Sequence, residues 1–112
     1  MAASFLAINP SQAAPNIPKR IISLSPSATE ILYAIGSGEQ VIAVDDLSNY
    51  PSEAPMTKLS AFNPNVEALL NYKPDLIILN ADATKALEVK AALEQLKIKV
   101  FLERAPKTLR EV

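Results

Sequence analysis

The chain has 112 residues, 11 Lys and Arg against 12 Asp and Glu for a formal net charge of −1, and no histidine, cysteine or tryptophan. These absences exclude thiolate zinc sites, iron–sulfur clusters, cysteine nucleophiles and Ser–His–Asp triads, each of which needs a soft ligand or an imidazole base. A near-neutral chain lacks the positive field that draws proteins to a phosphate backbone, so no nucleic-acid partner is expected. The 49% apolar content suffices for one core, and no apolar run approaches the ~20 residues that span a bilayer.

Residues 1–18 differ from the rest. Ala2, Ala3, Phe5, Leu6, Ala7 and Ile8 form a short apolar run, and small residues follow at Ser11, Ala13 and Ala14, like the tail of a secretory signal. The positively charged start of such signals is missing. Two readings stand: the chain begins inside a longer signal, or residues 1–18 are a disordered leader. Pro10, Pro15 and Pro18 argue against helix in either case, and without cysteine the chain carries no site for a lipid anchor.

From Lys19 onward, short β-branched runs alternate with helical periodicity. Arg20–Leu24 reads as a buried strand. Ser27 followed three residues later by Glu30 has capping-box spacing and predicts the start of a helix, with Pro26 fixing the approach. Ala28, Ile31, Leu32 and Ile35 supply its apolar face, and Gly36 and Gly38 end it. Val41–Val44 is the second strand, followed by a polar stretch from Asp45 to Ser60 containing Pro51 and Pro55. Asn63-Pro64-Asn65 opens a second helix, because asparagine caps free amides and proline suits a first turn; Lys73-Pro74 closes it.

Asp75–Leu79 is the third strand, continuous in apolar character after Asp75 and therefore expected to be covered on both faces. Residues 83–97 form the strongest helical pattern, with Ala86, Val89, Leu93 and Leu96 on one face and charges on the other. Ile98–Leu102 is the fourth strand, and Pro106 to Val112 reads as the start of another helix. Strands separated by helices imply parallel pairing through right-handed crossovers, with binding groups at the carboxyl ends of the strands. The expected architecture is a small three-layer α/β unit with a mostly parallel sheet of about four strands, over residues 19–112.

Four motifs carry a family resemblance. Arg20-Ile-Ile-Ser-Leu-Ser-Pro-Ser-Ala-Thr-Glu30, Asn49-Tyr50-Pro51, Asn63-Pro-Asn-Val-Glu67 and Tyr72-Lys-Pro-Asp-Leu-Ile77 stand in the order and spacing found in the amino-terminal lobe of certain periplasmic substrate-binding proteins. The branch it resembles serves ABC importers of vitamin B12, ferric siderophores and haem. The resemblance implies an exported, periplasmic or cell-surface protein that is not an enzyme. It also implies two such lobes joined by a long helix, with the ligand in the cleft between them. Measured against that plan, this chain reaches the beginning of the linking helix at Thr108–Val112 and lacks the second lobe.

The same resemblance suggests the site. Glu67 falls at the position of the lobe's docking glutamate, which pairs with arginines of the membrane permease; the bland alternative is a first-turn acid favoured by the helix dipole. Ser25, Ser27, Leu47, Tyr50 and Phe62 occupy the loops that the family uses for ligand. Phe62 keeps an aromatic platform for a flat or apolar ligand face, whereas Leu47 stands where B12-binding members carry an aromatic residue. Tyr50 is placed equally well to lock its loop. Ser27 reads first as a helix cap, with anion binding as the alternative. Asp45-Asp46 is a solvated loop pair or, in the sharper reading, lies on the cleft rim beside the ligand, with Asp46 as the candidate contact.

No resident cofactor is expected. With no histidine, direct capture of a bare metal ion is disfavoured, leaving a chelated one, such as a corrinoid, ferric siderophore or haem, as the ligand. Gly36-Ser37-Gly38 follows a helix and lacks the context of a dinucleotide fingerprint, and no nucleophile with base and orienting partner can be assembled. Lys85, Lys90, Lys97 and Lys99 interleave with Glu88, Glu94 and Glu103 as on a solvated face, and no function attaches to them. The expectation is a substrate-binding fragment of an ABC importer that docks on permease subunits. The alternative is a stand-alone interaction module or homodimer.

Overall fold

Runs of Ile, Val and Leu too short for a helix become strands once both their faces can be covered. The computed structural model describes residues 17–104, with four strands, β1 (Ile21–Leu24), β2 (Val41–Val44), β3 (Leu76–Asn80) and β4 (Lys99–Glu103), of which β4 leaves Lys99 and Phe101 exposed on one face. All pair in parallel, in the order β2-β1-β3-β4. Three helices connect them: α1 (Pro26–Ala34), α2 (Val66–Leu70) and α3 (Ala86–Gln95). The first strand is thus central, with Ile21 opposite Val41 on one side and Leu76 on the other.

Strand alternation divides the apolar residues between two faces. Ile22, Leu24, Ala43, Ile77 and Leu79 form the main core with Leu69 of α2 and Leu93 of α3, and Val89, Val100 and Leu102 pack against it. Each fully buried Leu or Ile contributes about 1.5–3 kcal/mol. The opposite face is smaller: Ile21 and Ile78 meet Ala28 of α1, with Leu32 and Leu76 at the margin.

The helices depart from expectation in instructive ways. The cap of α1 is Ser25, not Ser27: Ser25 is extended (φ −144°, ψ 120°), its hydroxyl accepts from the Ala28 amide, and Pro26 takes the first helical position. Ser27 and Glu30 therefore form no capping box. Ile31 and Ile35, expected on the buried face, are 56% and 68% exposed, and Thr29 is buried instead. Pro64 precedes the α2 cap rather than entering its first turn; Asn65 caps, accepting from the Ala68 amide at 3.0 Å.

The third helix is shorter than its periodicity predicts. Lys85 stands in the left-handed region (φ 55°), and the amides of Ala83 and Thr84 donate to Asn80 and Phe62 carbonyls, so no helix extends back to residue 83. Lys97 (φ 68°) turns the chain after its end, leaving Leu96 half exposed. The expected leader lies outside the described residues except for Ile17 and Pro18, and the helix expected from Pro106 to Val112 lies wholly outside them.

Candidate functional site

In a parallel sheet, every helix that follows a strand begins at the carboxyl edge, so loops from distant parts of the sequence meet there. Here that edge gathers Ser25 and Ser27 after β1, Asp45 to Tyr50 after β2, Asn80 to Asp82 after β3, and Glu103 at the end of β4. Phe62 joins them through its loop, because its carbonyl accepts from the Thr84 amide at 2.8 Å.

Beneath the loops lies a buried polar layer. Thr29 Oγ1 is 2.9 Å from Ser23 Oγ and 3.3 Å from Ser48 Oγ, and the Ser48 hydroxyl donates to the Asp45 carboxylate. The other Asp45 oxygen accepts from the Leu47 amide at 3.0 Å. Asp45 is completely buried, which corrects both readings of Asp45-Asp46 as a pair, solvated or on the cleft rim: Asp45 anchors the loop, and only Asp46 is exposed. A buried carboxylate holding one amide and one hydroxyl fixes the turn that presents residues 46–50.

The same loop is tied at its far side. The Asp46 amide donates to the Leu59 carbonyl at 2.8 Å, and Met56 runs parallel to Val44 as an isolated bridge. Thr57 donates its hydroxyl to the Val44 carbonyl at 2.7 Å. The fixed loop holds Leu47 and Tyr50 outward, 51% and 66% exposed, while Phe62 is 55% exposed in the loop before α2. Other large apolar side chains, Ile31, Ile35, Leu87 and Phe101 among them, are as exposed elsewhere; what distinguishes these three is their place on the loops of the carboxyl edge, where ligands of parallel sheets bind.

The predicted serines are brought together by Glu103, which no sequence motif marks as a site residue. Ser25 Oγ donates to one Glu103 carboxylate oxygen at 2.7 Å and Ser27 Oγ to the other at 3.2 Å. By its sequence pattern Glu103 belongs with the lysines and glutamates of a solvated face, and the structure corrects this. The signal for it in the sequence is its position directly after the apolar run of the fourth strand, at the edge where binding loops converge. Ser25 is 1% exposed beneath this contact.

The remaining positions are separate. Glu67 is exposed on the first turn of α2, where the free amides favour a negative charge. Tyr50 lines a cavity of about 290 Å³ with Glu30, Tyr33, Ala34, Pro51 and Glu53, which Leu47 and Phe62 do not line. Burial, reinforced by the Glu53 charge, holds the Tyr33 phenol above its usual value. Among the described residues no cluster of acidic side chains is suited to hold a metal ion, and no helix is long and apolar enough to cross a membrane.

A three-layer unit of parallel strands whose carboxyl edge carries an anchored, apolar-tipped set of loops is a ligand-binding lobe in form. The family described as periplasmic binding protein matches residues 21–108, and the chain belongs to it. The Vitamin B12-binding protein of Vibrio cholerae serotype O1 is 41% identical over 115 residues, covering all of this chain and 41% of that protein. An uncharacterised ABC transporter substrate-binding lipoprotein of Bacillus subtilis is 41% identical over 81 residues, covering 71% of this chain and 25% of that protein. The crystal structure of a possible iron-binding (periplasmic solute-binding) protein from Staphylococcus epidermidis superposes with a TM-score of 0.71 at 34% identity, covering 86% of this chain and 38% of that one. The chain thus spans about two-fifths of the length of the V. cholerae relative.

Proposed function

We propose that this chain supplies one wall of a ligand cleft in the substrate-binding component of an ABC importer, and that the ligand is a corrinoid or an iron chelate. The reading is supported by the family, by relatives whose names specify vitamin B12 and iron, and above all by one structural observation. Leu47, Tyr50 and Phe62 stand exposed on loops that a buried polar layer holds at the carboxyl edge of the sheet. An apolar rim on a rigid base suits a large, partly apolar ligand, and such ligands are held tightly only when most of their surface is enclosed.

One wall encloses half a ligand at best, so the 112-residue chain binds weakly. Glu67, exposed on α2, is the proposed contact with permease arginines, and the exported compartment follows from the same reading. Dicyanocobinamide, cyanocobalamin, haemin and ferrichrome titrated into isotopically labelled chain test it. A corrinoid or iron chelate shifts the amide signals of Leu47, Tyr50 and Phe62 with a dissociation constant near the millimolar range, about −4 kcal/mol, and Phe62→Ala reduces the effect. The reading is lost if all four ligands leave those signals unmoved. Tight saturable binding by the monomer would instead overturn the requirement for a second wall.

A further inference from the structure

Glu103 is the acidic group that sits where an acidic ligand group would be received. Both its oxygens are occupied by hydroxyls at the start of α1, Ser25 at 2.7 Å and Ser27 at 3.2 Å, and its own carbonyl accepts from the Ala81 amide at 2.8 Å. Its carboxylate is therefore held by the hydroxyls of the first binding loop, while the loop after β3 holds its backbone. Among the described residues the one ion pair is Lys90 with Glu94, so hydroxyls, not a cation, balance Glu103. Arg104, next in the chain, is exposed and makes no ion pair with it. Buried Asp45 and exposed Asp46 add negative charge at the same edge.

We propose that Glu103 is a specificity-determining residue of the proposed cleft: by occupying the Ser25 and Ser27 hydroxyls with a built-in carboxylate, it turns away ligands bearing carboxylates and favours neutral, amide-rich or cationic ones. The inference rests on the ligand-binding reading above. Physically it has two parts. The hydroxyls that would donate to a ligand's carboxylate already donate to Glu103, and a second carboxylate arriving beside the first meets like-charge repulsion in partly screened surroundings.

Three variants separate charge from shape. Glu103→Gln keeps an acceptor for a serine and removes the charge, Glu103→Ala empties the position, and Glu88→Gln removes a charge from the first turn of α3 as a control. Circular dichroism establishes that each is folded before titration. In the first experiment sodium acetate is added to labelled protein, and the amides of Ser25, Ser27 and Ala28 are followed. Saturable shifts are expected in Glu103→Ala and not in the wild type or Glu88→Gln; equal responses in wild type and Glu103→Ala, including none in either, overturn the proposal.

The second experiment compares haemin, which carries two carboxylates, with dicyanocobinamide, which carries none. Glu103→Gln should improve the affinity for haemin relative to dicyanocobinamide by at least about fivefold, whereas Glu88→Gln should leave the ratio where it is. An unchanged ratio in Glu103→Gln refutes the selectivity role. If neither compound, nor cyanocobalamin or ferrichrome, perturbs the carboxyl edge of any variant, the ligand-binding reading fails, while the acetate experiment still decides whether Glu103 blocks the serines.

Discussion

The two ends of the sheet solve the problem of unpaired polar groups differently. At the amino edge, charged side chains close the backbone: Asp75 accepts from the amides of Lys19 and Arg20 at 3.0 and 3.1 Å, and the Arg20 guanidinium donates to the carbonyls of Tyr72 and Lys73. At the carboxyl edge, side chains bond mainly to one another, through Ser23, Thr29, Ser48 and Asp45 on one side and Ser25, Ser27 and Glu103 on the other. The first arrangement finishes a fold. The second holds loops in place while leaving their apolar tips in solvent, and so builds a surface rather than an end.

Substitutions can break that contrast at several depths. The largest effect is expected in the core that both ends share: Leu93→Ala should cost about 3 kcal/mol in denaturant unfolding, as a fully buried leucine replaced by a cavity does. Phe62→Ala, at the exposed tip, should cost under about 0.5 kcal/mol and act on binding alone. A stability loss at Phe62 comparable to that at Leu93 would mean that the rim belongs to the core.

The two anchoring aspartates come next. Asp45→Ala strands a buried hydroxyl and the Leu47 amide and should cost about 2 kcal/mol, whereas Asp75→Ala exposes its two amides to water and should cost about 1 kcal/mol. Equal losses would erase the distinction between the edges. Ser25→Ala should match the Asp75 loss at about 1 kcal/mol, through loss of the α1 cap, and Ser27→Ala should cost only a few tenths. The opposite ranking would restore Ser27 as the cap.

The smallest effect is electrostatic. Tyr33 has its pKa raised above 10.0, first by burial and then by Glu53. Folding therefore retains the phenol proton more firmly than the unfolded chain does. The resulting stabilisation is complete below pH 10.0 and is lost as pH rises through the folded-state value. Absorbance titration should show a high phenol pKa that Glu53→Gln lowers only in part, because burial is the larger cause; complete normalisation would reverse the order of the two causes.

The strands are legible in the sequence to within a residue or so because apolar runs bounded by Pro, Gly and Asp leave few alternatives for Ile21–Leu24, Val41–Val44 and Leu76–Asn80. Helix ends are less legible. Ser25 and Ser27 both precede polar and apolar residues in workable spacing, and the choice between them depends on backbone angles that Pro26 imposes. Periodicity also overstates burial: Ile31 and Ile35 lie on a helical stripe, yet the face of the sheet beside α1 is too small to cover them. Of the candidate site, the loops are legible from the family motifs, and the exposure of Leu47, Tyr50 and Phe62 follows from their place at the edge. The Glu103 contact is not, because it joins positions 78 and 76 residues apart, and no local pattern encodes that distance.

The central position of β1 has a consequence for how the chain is made. Its neighbours are synthesised later, and the β3 side arrives last, with Arg20 and Asp75 separated by 55 positions. Pairings across such separations are slow to form. Until Leu76–Asn80 has left the ribosome, Ile22 and Leu24 have a partner strand on one side only, and the emerging polypeptide displays the stickiest part of its interior. A nascent chain arrested before residue 76 should therefore be a client for chaperones, and the same chain arrested well beyond residue 103 should not.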